Sequence, residues 1–207
     1  MKKINKNHWD KFYKKFKFDK ESKFANFVYK KLLKLKFKPK ILDVGCGNGR
    51  DTIFFIKKNI DVTGIDLSNV IYSNKKNFTN KFIRKNICAK NFNLKKKFNI
   101  IYARFFIHAI NNLDFKNLMI NLNKITSKKT LFFFEFRTTR DPLMKKGIRL
   151  SKYERYNGHY RRFINIKEFK KELNTMGYEI IFIKSSFNFA IFHKQKPNIC
   201  RAIFRKK

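Results

Sequence analysis

Ile41-Leu42-Asp43-Val44-Gly45-Cys46-Gly47-Asn48-Gly49-Arg50-Asp51 is the stretch on which the reading of the whole chain turns. Ile41, Leu42 and Val44 make the short apolar run of a buried strand, and Lys38-Pro39-Lys40 punctuates the chain before it. Thr52-Ile53-Phe54-Phe55-Ile56 then opens a helical pattern, which places a helix start near Asn48. Glycines at 45, 47 and 49 remove Cβ atoms where a ligand would lie against the main chain, and they permit φ > 0 in the turn. The free N–H groups of the helix start point at the same place. The next strand, Asp61–Asp66, ends in Gly64-Ile65-Asp66-Leu67-Ser68. There a carboxylate can accept hydrogen bonds from both hydroxyls of a ribose. Strand, glycine turn, helix, strand and acid make the first half of a nucleotide-binding α/β unit.

Two common nucleotide loops do not fit. The dinucleotide fingerprint G-x-G-x-x-G would put its third glycine at Arg50, where close packing of helix on strand needs no side chain. A phosphate-cradling loop would need Gly-Lys-Ser/Thr after the glycines, and none follows. The stretch instead resembles motif I of the class I S-adenosylmethionine-dependent methyltransferases, an acid-x-Gly-x-Gly-x-Gly signature followed by a ribose-binding acid. The plainer alternative is a glycine-rich surface turn. The resemblance implies S-adenosylmethionine as cofactor, with Asp43, Gly45, Cys46, Gly47, Asn48, Gly49, Arg50, Asp66 and Leu67 around it. It also implies a contact to the adenine at Asn86, where family members often carry an acid, and Arg104 is a further cofactor-binding candidate.

Bulk properties set the limits. A chain of 207 residues, 43% hydrophobic with 26 Phe, can bury one domain with a proper core despite 31% charge. No apolar run approaches the roughly 18 residues of a membrane span. Met1-Lys-Lys-Ile-Asn-Lys has no apolar segment behind its charges, so a secretory signal is not expected. Cys46, Cys88 and Cys200 lack metal-ligand spacing; no metal is expected, and a reducing cytoplasm is the default. The formal charge of +37 invites a nucleic-acid partner. Composition explains it more simply, because Lys, Asn, Ile and Phe are all abundant and share codons rich in A and T. The arginines say more: six of eleven (137, 140, 149, 155, 161 and 162) fall in one segment.

The remaining elements follow in order. Residues 4–17 space Trp9, Phe12, Tyr13 and Phe16 at helical intervals, and Asp19 to Leu35 reads as a second helix. These stripes read as core; the functional alternative has Trp9 and Tyr13 closing over the ligand, an aromatic face toward the sulfonium. A lysine-rich helix is expected near Val70–Asn77, and strands over Lys81–Ile87, Phe98–Ala103 and Leu131–Phe134. Each apolar run finishes in a polar residue: Asp43, Asp66, Asn86, Arg104, Glu135. In an open parallel sheet these would converge on one rim. Leu118–Ile125 and Ile166–Met176 read as helices. Tyr178–Lys184 and Ile199–Phe204, with no helix between them, read as an antiparallel pair. The expected fold is a Rossmann-like α/β class I methyltransferase sheet, mostly parallel and seven-stranded, with a C-terminal antiparallel hairpin and helices on both faces. One domain covers 1–207: N-terminal helices and lid 1–37, cofactor core 38–136, substrate-covering insertion 137–165, and C-terminal helix and hairpin 166–207.

Further segments look like a bacterial group of small-molecule methyltransferases related to the tellurite-resistance and thiopurine types. They are His8 to Tyr13, Ser22 to Val28, Tyr102 to Ala109, Glu135 to Asp141, and Gly158 to Phe163. That implies methyl transfer to a small molecule by in-line displacement, and the arginine cluster points to an anionic acceptor. A base is needed only for a protonated nucleophile. Candidates are His108, Glu135 and His159, the first two with a structural alternative: a backbone-bonded histidine for His108, an anchor for Arg137 or Arg104 in the case of Glu135. Trp9, Tyr13, Arg137, Arg161 and Arg162 are the candidate acceptor contacts. Arg50 could meet the methionyl carboxylate and Asp51 could cap its helix. The rival readings are an RNA methyltransferase using the basic surface and a module that holds the cofactor without turnover.

Overall fold

The computed structural model describes residues 2–15, 20–68, 76–191 and 195–207. At its centre lies β1 (Lys40–Val44), with β2 (Asp61–Asp66) parallel on one side and β4 (Ile100–Arg104) parallel on the other. β3 (Phe82–Arg84) extends the sheet beyond β2, and β5 (Leu131–Arg137) beyond β4, both parallel. β10 (Ile199–Lys206) then runs antiparallel between β5 and the edge strand β9 (Tyr178–Ser186). The order is β3-β2-β1-β4-β5-β10-β9. This is the mostly parallel, seven-stranded sheet with a terminal antiparallel pair that the sequence predicts. Strand order reverses at β1, so a crevice opens outside the carboxyl ends of β1 and β4, the place where such sheets bind ligands.

Phenylalanine-rich strands give the sheet two apolar faces. On one, Phe24 and Val28 of α2 (Lys23–Leu32) and Phe55 of α3 (Arg50–Lys57) pack on Tyr102, Phe133 and Ile203. On the other, Phe115, Leu118 and Leu122 of α4 (Asn112–Lys124) and Phe169 of α5 (Ile166–Thr175) pack with Phe132, Phe134, Phe136 and Phe204. Phe132 stacks on Phe204 with centroids 5.0 Å apart, and Phe134 meets the same ring edge-on at 4.9 Å. Each such buried ring contributes about 1.5–3 kcal/mol. A core of this size tolerates the lysine-covered exterior.

Local chemistry moves several boundaries. The second helix starts at Lys23 rather than near Asp19, because Ser22 caps it: its Oγ accepts the Ala25 N–H at 3.0 Å. α3 begins at Arg50, two residues later than Asn48, with Gly49 held at φ 75 before it. α4 begins at Asn112, well before Leu118; Asn111 accepts the Asp114 N–H at 2.8 Å, and the exposed Leu113 hides the apolar period there. β3 is shorter than the expected 81–87, leaving Asn86 beyond its end. β5 runs on to Arg137 because β10 pairs it residue by residue from Leu131 to Arg137. The first helix, α1, spans Lys2–Lys15, and residues 16–17 of its expected range lie outside the described residues. So does the helix expected near Val70–Asn77 as far as residue 75; Lys76–Lys81 forms a 3-10 turn.

The segment between β5 and α5 is not an irregular loop. A short 3-10 turn, Pro142–Lys145, precedes an antiparallel sheet of β6 (Ile148–Arg149), β7 (Glu154–Tyr156) and β8 (Tyr160–Arg162). Asn157-Gly158 turns the chain between β7 and β8, with Gly158 at φ 71. No helix among the described residues is long and apolar enough to cross a membrane.

Candidate active site

A cavity of about 620 Å³ opens at the carboxyl ends of the parallel strands, with α1, β8 and residues 189–191 contributing to its walls. Asp43, Asp66, Asn86, Arg104 and Glu135, the polar residues that close the five apolar runs, all line it. Gly45, Cys46, Asn48, Arg50 and Leu67 line it too, whereas Gly47 and Gly49 shape the loop without reaching the wall.

The glycine loop is built to be approached. Gly47 sits at φ 57, and a Cβ there would lie 2.3 Å from the Tyr13 hydroxyl oxygen. A side chain at 47 would therefore displace the Tyr13 ring from the loop and would be strained by the positive φ. Asp66 is held from both sides: Oδ2 accepts the Gly47 N–H at 2.9 Å and Oδ1 the Ser68 N–H at 2.8 Å. Ser68 Oγ, in the same wall, is buried without a hydrogen-bond partner among the described residues. Asp43 is 2% exposed and accepts the Thr52 hydroxyl at 2.6 Å. Burial pushes its carboxyl up to about 8 against that hydrogen bond, with Asp51 and Asp66 adding to the rise. Asn86 Oδ1 accepts the Cys88 N–H at 3.0 Å, so the oxygen expected for an adenine is turned onto its own backbone.

Asp51 is neither the helix cap nor an open ligand group. Its carboxylate accepts the Ser22 N–H at 2.8 Å, the Ser22 hydroxyl at 2.7 Å and the Tyr102 hydroxyl at 2.6 Å. It ties the start of α2 to α3 and β4. Arg50 Nε lies 3.6 Å from it. Nothing in the sequence marks Ser22 and Tyr102 as its partners, since they are 29 and 51 residues away.

Glu135 is likewise committed. Oε1 accepts Nε–H of Arg104 at 3.1 Å and Oε2 accepts Nε–H of Arg201 at 2.8 Å. It is 1% exposed; burial raises its pKa and the two arginines oppose that. A carboxylate holding two guanidiniums is in the position of an anchor, the second of the two roles the sequence leaves open for it. Its partners are Arg104 and Arg201, not Arg137. Arg137 instead pairs with Asp141 at 2.7 Å.

The opposite wall is basic and aromatic. His108 is 3% exposed, and its Nδ1 accepts the Arg137 N–H at 3.3 Å. Burial, then Arg137 and Arg161, hold its pKa well below the usual imidazole value. A neutral ring with Nδ1 as acceptor carries its proton on Nε2, so His108 offers a donor where a base was expected. His159 is 6% exposed and pushed down to about 2, by burial first and by Arg161, His8 and Arg137 after it. Its ring stacks on His8 at 3.8 Å and meets Trp9 edge-on at 5.2 Å, so α1 packs on β8 here. Trp9, Tyr13, Arg137 and Arg161 line the cavity. Arg161 donates to Asn157 O at 3.0 Å and is in an ion pair with no described carboxylate; burial pushes it down to about 10. Arg162 does not line the cavity: its guanidinium bonds Asn112 Oδ1 and Ile107 O and lies over Phe115, so it staples β8 to the start of α4. Sequence reasoning also missed His8 and Phe189; alternation along β8 was the one available signal, since it turns Arg161 and Arg162 to opposite sides.

Comparison with protein-family profiles matches residues 13–182 to the methyltransferase domain. The chain belongs to the methyltransferase-domain family. The domain thus includes both the glycine loop and the inserted sheet. Comparison with curated protein sequences gave no match. Among solved structures, the CcbJ methyltransferase from Streptomyces caelestis superposes with a TM-score of 0.72 at 12% identity, over 98% of each chain. A S-adenosylmethionine-dependent methyltransferase from Clostridium acetobutylicum ATCC 824 gives 0.68 at 16% identity, over 89% of this chain and 91% of that one. A third is the 1,6-didemethyltoxoflavin-N1-methyltransferase from Burkholderia thailandensis, solved with 1,6-didemethyltoxoflavin and S-adenosylhomocysteine. It gives 0.65 at 13% identity, over 89% of this chain and 76% of that one. At such identities the likeness is one of fold, and the methyltransferase domain of this chain shares it.

Proposed function

We propose that this protein is a S-adenosylmethionine-dependent methyltransferase acting on a small anionic acceptor. The observation that carries this reading is one cavity with two unlike walls. One holds the glycine loop and Asp66; the other holds Arg161 and Arg137 among three neutral histidines.

The first wall fits the donor. Asp66, fixed by two backbone N–H groups, would receive the ribose hydroxyls, and the Ser68 hydroxyl, which has no hydrogen-bond partner among the described residues, adds a donor beside it. Arg104 and Arg50 would face the methionyl carboxylate. When bound, the donor supplies a methyl already activated by its positive sulfur. What remains for the protein is to position the acceptor and exclude water. Trp9, Tyr13 and the insertion at 137–165 would cover the site, with residues 1–37 as lid and 38–136 as cofactor core.

The second wall fits an acceptor with an anionic group. Arg161 is a desolvated cation in no ion pair among the described residues, near Arg137 and an Asp141 carboxylate already paired with Arg137, which favours an incoming oxyanion or carboxylate. His108 would donate Nε2–H to it. Since His108 presents a donor, Glu135 is tied to two arginines and His159 is a weak base, the attacking atom would arrive with its lone pair free. The segments His8 to Tyr13 and Gly158 to Phe163, which hold this wall, support placing the chain near the tellurite-resistance and thiopurine-like group. The test is incubation with methyl-labelled donor and a lysate fractionated into small molecules, glycans and RNA. Label in an anionic small-molecule fraction is expected; label in RNA, with steep salt dependence, would replace this reading by the nucleic-acid one.

A further inference from the structure

Arg104, Glu135 and Arg201 are register neighbours across β4, β5 and β10, and Glu135 bonds the other two through their Nε atoms at 3.1 and 2.8 Å. Beyond that shared contact the two arginines differ. Arg201 is enclosed: its guanidinium lies 4.3 Å from the Phe189 ring, 5.1 Å from Phe27 and 5.4 Å from Phe24, and it donates to Phe189 O at 3.4 Å. Arg104 is open. Among the described residues its two terminal nitrogens donate no hydrogen bond, and the residue lies in the cavity wall. Phe105 beside it holds φ 57, a conformation rare for a bulky residue, and its ring lies 4.4 Å from the Arg104 guanidinium.

We propose that Glu135 and Arg201 are positioning residues that fix the Arg104 fork for a carboxylate, the methionyl end of the donor. This rests on the donor assignment of the preceding subsection. The charge balance carries the argument. A lone Glu135 would neutralise Arg104 and compete with any incoming anion. With Arg201 on its second oxygen, two positive charges against one negative leave the group with one net positive charge, and Arg104 keeps its attraction. The geometry completes it. Three phenyl rings hold Arg201 still, Arg201 holds Glu135, and Glu135 on Nε sets the plane in which the terminal nitrogens of Arg104 meet a bidentate anion.

Isothermal calorimetry with S-adenosylhomocysteine and with 5′-methylthioadenosine tests this, because the second ligand keeps adenosine and sulfur but lacks the carboxylate. In the unaltered protein S-adenosylhomocysteine should bind about 10- to 100-fold more tightly, as for a charge-assisted pair. Arg201→Lys keeps the charge but not the fork, and Arg201→Met leaves Glu135 free to neutralise Arg104. In both, the preference should fall by about fivefold or more while methylthioadenosine affinity stays within about twofold, which also shows that the variant is folded. Arg104→Met should remove most of the preference and leave only the share that Arg50 holds. Preference at its original level in both Arg201→Lys and Arg201→Met overturns the positioning role. An unaltered protein that binds both ligands equally overturns the carboxylate assignment at Arg104. Binding of neither ligand removes the donor reading itself, a distinct outcome.

Discussion

Asp51→Ala should be among the most destabilising single substitutions on the surface of this cavity, although Asp51 touches no proposed ligand. Its carboxylate is 5% exposed and accepts three hydrogen bonds of 2.6–2.8 Å from Ser22 and Tyr102. Alanine orphans the Ser22 N–H and leaves one of the Ser22 and Tyr102 hydroxyl donors without an acceptor, since those two hydroxyls lie 3.3 Å apart and can satisfy only one of the pair. Each buried donor left unpaired costs about 1–3 kcal/mol, so roughly 2–6 kcal/mol is expected in total. At about 2–4 °C per kcal/mol for a chain of this size, Tm should fall by roughly 4–24 °C. Tyr102→Phe alone should cost about 1–2 kcal/mol. The double variant should cost less than the sum, because the phenyl ring that replaces Tyr102 has no hydroxyl to strand. Urea unfolding followed by circular dichroism measures all three. A loss under about 1 kcal/mol for Asp51→Ala, or strict additivity in the cycle, would show that the network does not hold α2 to α3.

Arg161→Ala should raise the acceptor KM about tenfold or more while leaving S-adenosylhomocysteine affinity in place, since it removes a charged contact on the acceptor wall only; equal effects on both ligands would refute that division. His159, depressed to about 2, binds fewer protons folded than unfolded, so the stability it contributes is complete above about 6.5 and is lost as pH falls below that. Trp9, the one tryptophan of the chain, lies against His159 and should report the loss as a fluorescence change on acidification that His159→Phe removes; an unchanged transition in that variant would place its origin elsewhere. Asp43, raised to about 8, works in the opposite direction: folded protein binds more protons, so its contribution is complete below about 4 and is lost as pH rises through 8. Asp43→Asn, which can still accept from Thr52, should flatten the pH dependence of unfolding between those limits, and an unaltered slope would mean that Asp43 is charged in the fold.

The architecture was legible because it is written locally. The apolar run, three glycines and trailing acid at 41–66 specify a crossover unit whose geometry allows few alternatives, and residues 178–204 without an intervening helix specify the antiparallel pair. The convergence of Asp43, Asp66, Asn86, Arg104 and Glu135 on one cavity follows from strand direction alone. What each side chain does there was not legible, since its partner lies far along the chain. Glu135 reads as a base until Arg201 arrives from β10, and Asp51 as a cap until Ser22 and Tyr102 enclose it. Arg161 and Arg162 look equivalent in sequence, yet the pleat of β8 sends one to the cavity and the other to Ile107 O. Element ends moved for a related reason. Ser22, Asn111 and Asn165 set helix starts through single side-chain hydrogen bonds that apolar periodicity does not register.

The donor site is the centre of the account, and titrating the purified protein with S-adenosylhomocysteine in a calorimeter addresses it most directly. A saturating one-to-one heat, abolished by Asp66→Ala in a protein that still unfolds cooperatively, is the predicted result. Absence of heat with that ligand, together with saturable binding of a dinucleotide or a nucleoside triphosphate, would contradict it.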